Sequence, residues 1–426
     1  MISLIVLFIE IALLALAKSI GMLNVGDTTV SLMIFAFSIS FIFSVQNNEL
    51  IGMFTEQIVS GYLFRIFILY FDIYGTKIHV LPQSGNDSAM FYRTSTEIVL
   101  YGKTNREANF ITLISKVFGL IGINRLYGQF LLMLMSILTI ILFLRTIEKL
   151  AIDQQSKVSC AWIICLLPNF ALLSSLFLRE SIVTLFITIS VCCMVEWMLN
   201  NGNVYYILAI LSSIIACLFH SGSIGITIGC VVCLLIYDTH EKRIHTTVGG
   251  ILLAVIFALG ISFVFLRYGG ALMGKFTGVE NIADLANTNQ LGGSTYSRYV
   301  GNSDTPINMI IYTLPRLVYF LFSPFPWQWR GLSDVIAFFF SGLYYIIIIY
   351  NAFRYIFDKE NKYNGMVITL LTIAFFCSFI FAWGVSNTGT ATRHRDKMVC
   401  LYGIILSLTL GESSKTSKKK SVYFKF

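Results

Sequence analysis

Residues 175–185 read "SLFLRESIVTL", and Arg179 and Glu180 stand side by side in an otherwise apolar neighbourhood. An ionised side chain deep in a bilayer is costly, so such a pair marks a turn at the membrane surface or a functional site. A glutamate there can take a proton from a hydroxyl. An arginine holds phosphate or carboxylate through a planar, permanently charged fork. Similar groups recur along the chain: Asp87, Tyr92 and Arg93 in "NDSAMFYR", His220 in "CLFHSGS", and Tyr296 and Arg298 in "STYSRY". Arg316 follows Pro315, Trp327 and Trp329 lie in "PFPWQWR", and Arg393, His394 and Arg395 lie in "TATRHRDK". The carboxylates and His220 suit general-base work. The arginines suit an anion, and the aromatic rings suit the faces of sugars. No His, Cys and Asp cluster has the spacing of metal ligands, and no cofactor is implied.

Each group also has a plain structural reading. Arg179 pairs with Glu180 or snorkels, His220 is a satisfied interfacial histidine, and Asp87 is the turn residue of "SGNDS". Glu10 reads as a buried, hydrogen-bonded carboxyl. The nine cysteines fall mostly in apolar runs. Cys230 and Cys233, though spaced CxxC, read as small core residues of a helix rather than a redox or metal pair.

The elements that must position these groups are membrane spans. Of the 426 residues, 56% are hydrophobic and 12% charged, with mean hydropathy +0.77. A soluble domain carries about twice that charge. The net charge of +8 reports where loops lie rather than a nucleic-acid partner. Apolar runs of span length fall near 2–22, 28–46, 56–74, 126–145, 159–177, 181–199, 204–219, 222–238, 246–267, 334–356, 365–384 and 397–411. The first lacks a basic leader and a cleavage site and reads as a retained span. Two long hydrophilic interruptions fall at 75–125 and 268–305, and residues 412–426 form a basic tail.

Orientation follows from Lys and Arg in short connections. Arg145/Lys149/Lys157, Lys242/Arg243, Arg354/Lys359/Lys362 and the tail are basic and belong on the cytoplasmic side. Counting crossings from there puts both long interruptions outside. It leaves one apolar segment too many between the second interruption and Arg354. That segment is 306–326, with Pro315, Arg316, Pro324 and Pro326, and it reads as re-entrant or interfacial. The result is about twelve crossings in one membrane domain, residues 1–411, with both termini cytoplasmic. Arg179, Arg298, Arg316 and Arg393 then all face outward, against the usual bias, and an anionic ligand at the outer leaflet explains them together.

At this point the sequence resembles a family. "LRESIVTLFITIS" followed by "ILAILSSIIACLFHSGSIGI" is similar to the outer-face Arg and the downstream "FH-S" turn of bacterial O-antigen and exopolysaccharide repeat-unit polymerases (Wzy/EpsG-like). "NDSAMFYR" resembles their early Asp–Tyr element, "YFLFSPFPW" their Pro-rich segment, and "RHRDKMVCLYGIILSL" their Arg entering a late span. The likeness covers roughly residues 80–410. Where those proteins often carry Arg–Gln, this chain has Arg179–Glu180.

The resemblance implies a GT-C-like, metal-independent, inverting glycosyltransferase in the bacterial inner membrane. It joins undecaprenyl-diphosphate-linked oligosaccharide repeats at the outer face. Membrane lipid surrounds it, and a chain-length regulator and a flippase are partners of such a system. Arg179, Arg298, Arg316 and Arg393 would hold the diphosphate. Glu180, His220 or Asp87 would serve as base, and Tyr92, Tyr296 and Trp327 would meet the glycan. Alternatives of other classes are a lipid-linked oligosaccharide flippase, an O-antigen ligase or a membrane acyltransferase. A flippase would carry charges deep in several spans and would not need two long one-sided interruptions.

Overall fold

The structure is a computed structural model that describes residues 2–21, 25–49, 51–102, 108–244, 252, 256, 260, 295–296, 300, 306–358 and 361–410. Among these the chain is almost wholly helical, with one short antiparallel ribbon, Tyr237–Asp238 against Arg243–Ile244. Seven helices are long and apolar enough to cross a membrane, or eight if one bent pair is a single span. The chain is an all-α, multi-pass membrane protein. It divides into two compact units, residues 1–145 with 161–182, and residues 146–160 with 183–426.

The first unit contains α1 (Ile2–Ser19), α2 (Asp27–Gln46), α3 (Thr55–Tyr74), α4 (Ala89–Tyr101) and α5 (Asn109–Ile121). It also holds most of α6 (Arg125–Lys149), the second half of α7 (Gln154–Leu166) and all of α8 (Pro168–Ser175), α7 and α8 forming a bent pair. Leu4, Phe8, Leu32 and Phe35 are exposed along α1 and α2, as lipid-facing positions require. Glu10 is buried in α1, and the Tyr127 hydroxyl donates to it at 3.4 Å, which is the hydrogen-bonded carboxyl expected.

The interruption at 75–125 differs from its appearance in the sequence. It is a helical hairpin, in which α5 buries Phe110, Ile111, Ile114, Phe118 and Ile121 along one face. That spacing of three and four residues is a helix period hidden in a polar surround. The run 159–177 differs as well: the chain bends by 46° between α7 and α8. Pro168 supplies the reason, because it has no N–H to continue the ladder. The break leaves carbonyls at the end of α7 without helical donors. Arg65 of α3, fully buried, answers one of them: its Nη1 donates to Cys165 O at 2.6 Å and to Gly61 O at 3.0 Å. Its Nε donates to Ser174 Oγ at 3.1 Å. Gly61 is needed at this crossing, since a Cβ there would lie 2.9 Å from the Cys165 carbonyl.

The second unit contains α9 (Glu180–Asn200) beyond its first turn, α10 (Asn203–Phe219) and α11 (Ile224–Ile236). Then come α12 (Pro306–Phe322), α13 (Leu332–Ala337), α14 (Leu343–Phe357), α15 (Asn364–Trp383) and α16 (Thr388–Arg395), and the chain is helical again over 399–410. A π-turn, Phe338–Gly342, joins α13 to α14 in one apolar run, Leu332–Phe357. Helices α11 and α15 lie backbone to backbone. A Cβ on Gly225 would sit 2.5 Å from Cys377 Cα, and one on Gly229 2.6 Å from Ile373 Cα. Two glycines four residues apart permit this approach, as small residues do between membrane helices. All nine cysteines are free. Cys230 and Cys233 are fully buried, and Cys233 donates to Thr369 O at 3.4 Å, so both behave as core residues.

Two spans look different from the sequence reading. Helices α10 and α11 are shorter than a full crossing. Helix α12 also runs through Pro315 rather than breaking at it. Most of 246–267 and most of 268–305 lie outside the described residues.

Candidate functional site

The groups singled out in the sequence separate between the two units. Asp87, Tyr92, Arg179 and Glu180 belong to the first, and His220, Tyr296, Arg316, Trp327 and Arg393 to the second. Arg298 lies outside the described residues.

In the first unit the chain leaves α8 at Ser175 and turns over 176–179 before α9 begins at Glu180. Arg179 and Glu180 therefore mark a turn between helices, as their position in the sequence suggests. Glu180 is buried in the first turn of α9, where the positive end of the helix dipole favours a carboxylate. The half-buried Arg179 places its guanidinium 5.9 Å from the centre of the Phe91 ring. Tyr92, next to Phe91 on α4, packs edge-on against Phe118 and Phe177 at 5.9 and 5.6 Å, under the Arg125 guanidinium. Burial pushes the Tyr92 phenol above its ordinary value, so it remains a neutral hydrogen-bonding group. Asp87 is half-buried in the π-turn Ser84–Ser88 that opens α4. Arg93, by contrast, faces outward and meets Glu97 one turn on at 3.5 Å, a surface pair of small energetic weight.

Beneath these groups lies a polar cluster that the sequence reading passed over. Asp72, at the end of α3, has a fully buried side chain. It accepts from Ser84 Oγ, from Gln129 Nε2 at 3.0 Å and from Arg125 Nη2 at 3.3 Å. The signal was available in helical spacing. Arg65 and Asp72 lie seven residues apart in one apolar run, and Arg125 and Gln129 four apart in another, so each pair shares a helix face.

The second unit gathers its groups around the end of α15. His220, the residue that ends α10, packs against Phe381 at 5.3 Å and edge-on against His394 at 4.6 Å. Gly222 allows the contact, because a Cβ there would lie 2.5 Å from the Phe381 ring. Lys397 Nζ lies 3.3 Å from His394 Nδ1. With Lys397 as an ammonium, which has no lone pair, Nδ1 accepts and Nε2 carries the ring proton. Arg316 stands over Trp383, with its guanidinium 4.6 Å from the ring centre. Among the described residues Arg316, Arg393, Arg395 and Lys397 are buried, as is the carboxylate of Asp396. Lys397 lies two residues beyond Arg395, at the edge of the basic motif "TATRHRDK".

Arg395 differs from its neighbours. It is fully buried and donates to the carbonyls of Phe320, Leu321 and Ser323 at 3.2, 3.0 and 2.5 Å. It also donates to Ser341 and Thr392 hydroxyls at 2.8 and 3.2 Å. These carbonyls end α12, so Arg395 is the cap of that helix.

The aromatic residues divide by exposure. Tyr296 is fully buried, its hydroxyl donates to Val385 O at 2.9 Å, and Tyr319 stacks on it at 5.6 Å. This corrects the expectation of an open sugar platform: Tyr296 ties residues 295–296 to 385–387, where Thr295 bridges Asn387. Trp327 is 61% exposed and stacks flat on Phe325 at 4.7 Å. Phe325 in turn packs on Tyr319 at 5.2 Å, so Trp327 is the outer end of an aromatic series that begins at Tyr296. Gln328 and Trp329 fix that turn, through bonds to Phe325 N at 2.8 Å and Pro324 O at 3.1 Å.

Among the described residues no group of three or more His, Cys, Asp or Glu side chains is placed to hold a metal ion. Comparison with protein-family models, with curated proteins and with solved structures finds no match to this chain.

Proposed function

We propose that the chain is a glycosyltransferase that polymerises lipid-diphosphate-linked oligosaccharide repeats at the outer face of a bacterial inner membrane. The observation that carries this reading is the second unit's gathering of buried cations. Arg316 and Lys397 lie with His394 and His220 around Phe381 and Trp383, and Arg393 is buried in the short helix that holds His394. Guanidinium and ammonium groups held together suit a multiply charged anion such as a diphosphate. The exposed Trp327 offers an aromatic face for a sugar. In this reading the fold is GT-C-like with about twelve crossings, and 306–326 is interfacial.

The chemistry is a displacement at the anomeric carbon of the donor glycan. An acceptor hydroxyl forms the new C–O bond, and the bond to the diphosphate breaks. The leaving diphosphate takes the electron pair, and Arg316, Arg393, Lys397 and the His394 N–H stabilise its charge. The hydroxyl proton passes to His220. Both substrates carry a diphosphate, so a second anion-holding place is required. Arg179 fills that role in the first unit, with Glu180 and Asp87 as its carboxylates and Tyr92 as its aromatic neighbour.

One observation favours a flippase instead. Glu10, Arg65 and Asp72 are buried in helices of span length. Arg65, however, spends its donors on Gly61, Cys165 and Ser174, which makes it a clamp rather than a transport group. A deletion strain decides between the readings. Loss of a polymerase leaves a single capped repeat on the lipid, loss of a ligase leaves none, and loss of a flippase stops export. Export blocked with no capped repeat would overturn the polymerase reading.

A further inference from the structure

We infer that Asp72 is a positioning residue that holds both candidate turns of the first unit in register, an inference that rests on the role proposed for Arg179, Glu180 and Asp87. Its carboxylate is the point at which three elements meet. Ser84 Oγ, at the start of the turn that carries Asp87, donates to Asp72 Oδ1. Gln129 Nε2 on α6 donates to Asp72 Oδ2 at 3.0 Å and also to Ser175 O at 2.6 Å. Ser175 is the last residue of α8, immediately before the turn that carries Arg179. Arg125 Nη2 completes the set, reaching Asp72 Oδ2 at 3.3 Å and Ser88 Oγ at 3.4 Å. Ser181 Oγ closes the second turn on Ser174 O at 3.3 Å. Residues far apart in the chain, 84–88 and 175–180, thus share one buried anion as their anchor.

The arrangement has a directional logic. A carboxylate accepts from several donors at once and offers none. Asp72 therefore fixes Ser84, Gln129 and Arg125 simultaneously, and Gln129 relays that fixation to a backbone carbonyl. An amide in its place can still set its oxygen toward Gln129 and Arg125 and its N–H₂ toward the Ser84 hydroxyl, so it does not test the role. Leucine offers no acceptor at all, and both ties are then lost.

Three variants separate this role from a general contribution to folding. Ser84→Ala cuts only the tie to the Asp87 turn, Gln129→Leu only the tie to the Arg179 turn, and Asp72→Leu cuts both. The full-length protein, purified in detergent, is followed by hydrogen–deuterium exchange. The expected result is exchange about 10-fold faster at 84–91 in Ser84→Ala, at 175–181 in Gln129→Leu, and at both in Asp72→Leu. In cells, chain length of the surface polysaccharide is read at matched amounts of folded membrane protein. Displacement of a reacting group by about 1 Å costs on the order of 10²-fold, so Gln129→Leu and Asp72→Leu should lose most elongation per folded molecule. Unchanged exchange at both turns in Asp72→Leu, or uniform loosening of the whole unit, overturns the inference. Loosened turns with full elongation overturn it as well. Arg179→Ala distinguishes the cause: if that variant also elongates fully, the first unit's groups have no part in the reaction, and the role of Asp72 falls with them.

Discussion

Arg395, two residues from Arg393 in one short basic helix, is committed to backbone carbonyls. Replacing Arg395 by Met keeps a long apolar side chain and removes every donor. Three buried carbonyls, those of Phe320, Leu321 and Ser323, then lose their partner. A buried polar group left unsatisfied costs about 1–3 kcal/mol, so the three together cost roughly 3–9 kcal/mol. The hydroxyls of Ser341 and Thr392 can turn elsewhere and add little. Proteins are stable by about 5–15 kcal/mol in all. Arg395→Met should therefore abolish most of the folded material. Arg395→Lys, which keeps a charge and three donors but not the planar fork, should fall between. The assay is the monodisperse fraction after detergent extraction, followed by thermal melting of what survives. A Met variant with normal yield and a melting point within about 3 °C of the parent, equivalent to roughly 1 kcal/mol or less, would refute the capping role.

The remaining predictions concern the site, the packing and the topology. Arg316→Lys and Arg393→Lys should reach the membrane at near-normal levels yet lose most elongation, since a lysine cannot make the bidentate contact; normal chain length in both ends the anion-site reading. Glu180→Gln should leave elongation within a few-fold, because the acceptor proton passes to His220, read as polymer length at matched protein; a loss of about 10²–10⁴-fold would make Glu180 the base and overturn the role of His220. Gly225→Ala and Gly229→Ala should each destabilise by about 1–3 kcal/mol through overpacking against α15, and an unchanged melting point in either would count against the close approach. Cysteines placed at 303 and 332 should label from the same side of the membrane if 306–326 is interfacial; labelling from opposite sides removes that assignment.

The sequence made the seven long spans among the described residues and the turn at Arg179 legible for the same reason. A long apolar run has one economical solution in lipid, and a charge pair at its end marks where the run stops. Helix α5 was hidden because its polar surround masks a buried face of Phe110, Ile114 and Phe118. The bend before α8 was signalled by Pro168, but hydropathy averages over a bend. The sites were legible as residue types and illegible as roles. Arg65, Arg316, Arg393 and Arg395 are all arginines in apolar surroundings, and nothing in their spacing tells a clamp from a ligand-holding group.

What separates those roles is where the donors go. Arg65 donates to Cys165 O and Gly61 O where Pro168 has opened a helix, and Arg395 donates to three carbonyls where α12 ends. In both places an unfinished helix terminus in a nonaqueous interior demands donors, and an arginine with five N–H groups is the side chain that answers several acceptors at once. Arg316 stands over Trp383, and Lys397 donates to His394. Neither of those contacts completes a helix end. An arginine committed to backbone carbonyls is required by the fold and tolerates little change whatever the protein does. If Arg316 and Lys397 serve the proposed anion, their replacement lowers elongation and leaves the amount of folded protein unchanged, the opposite of the outcome expected for Arg395→Met.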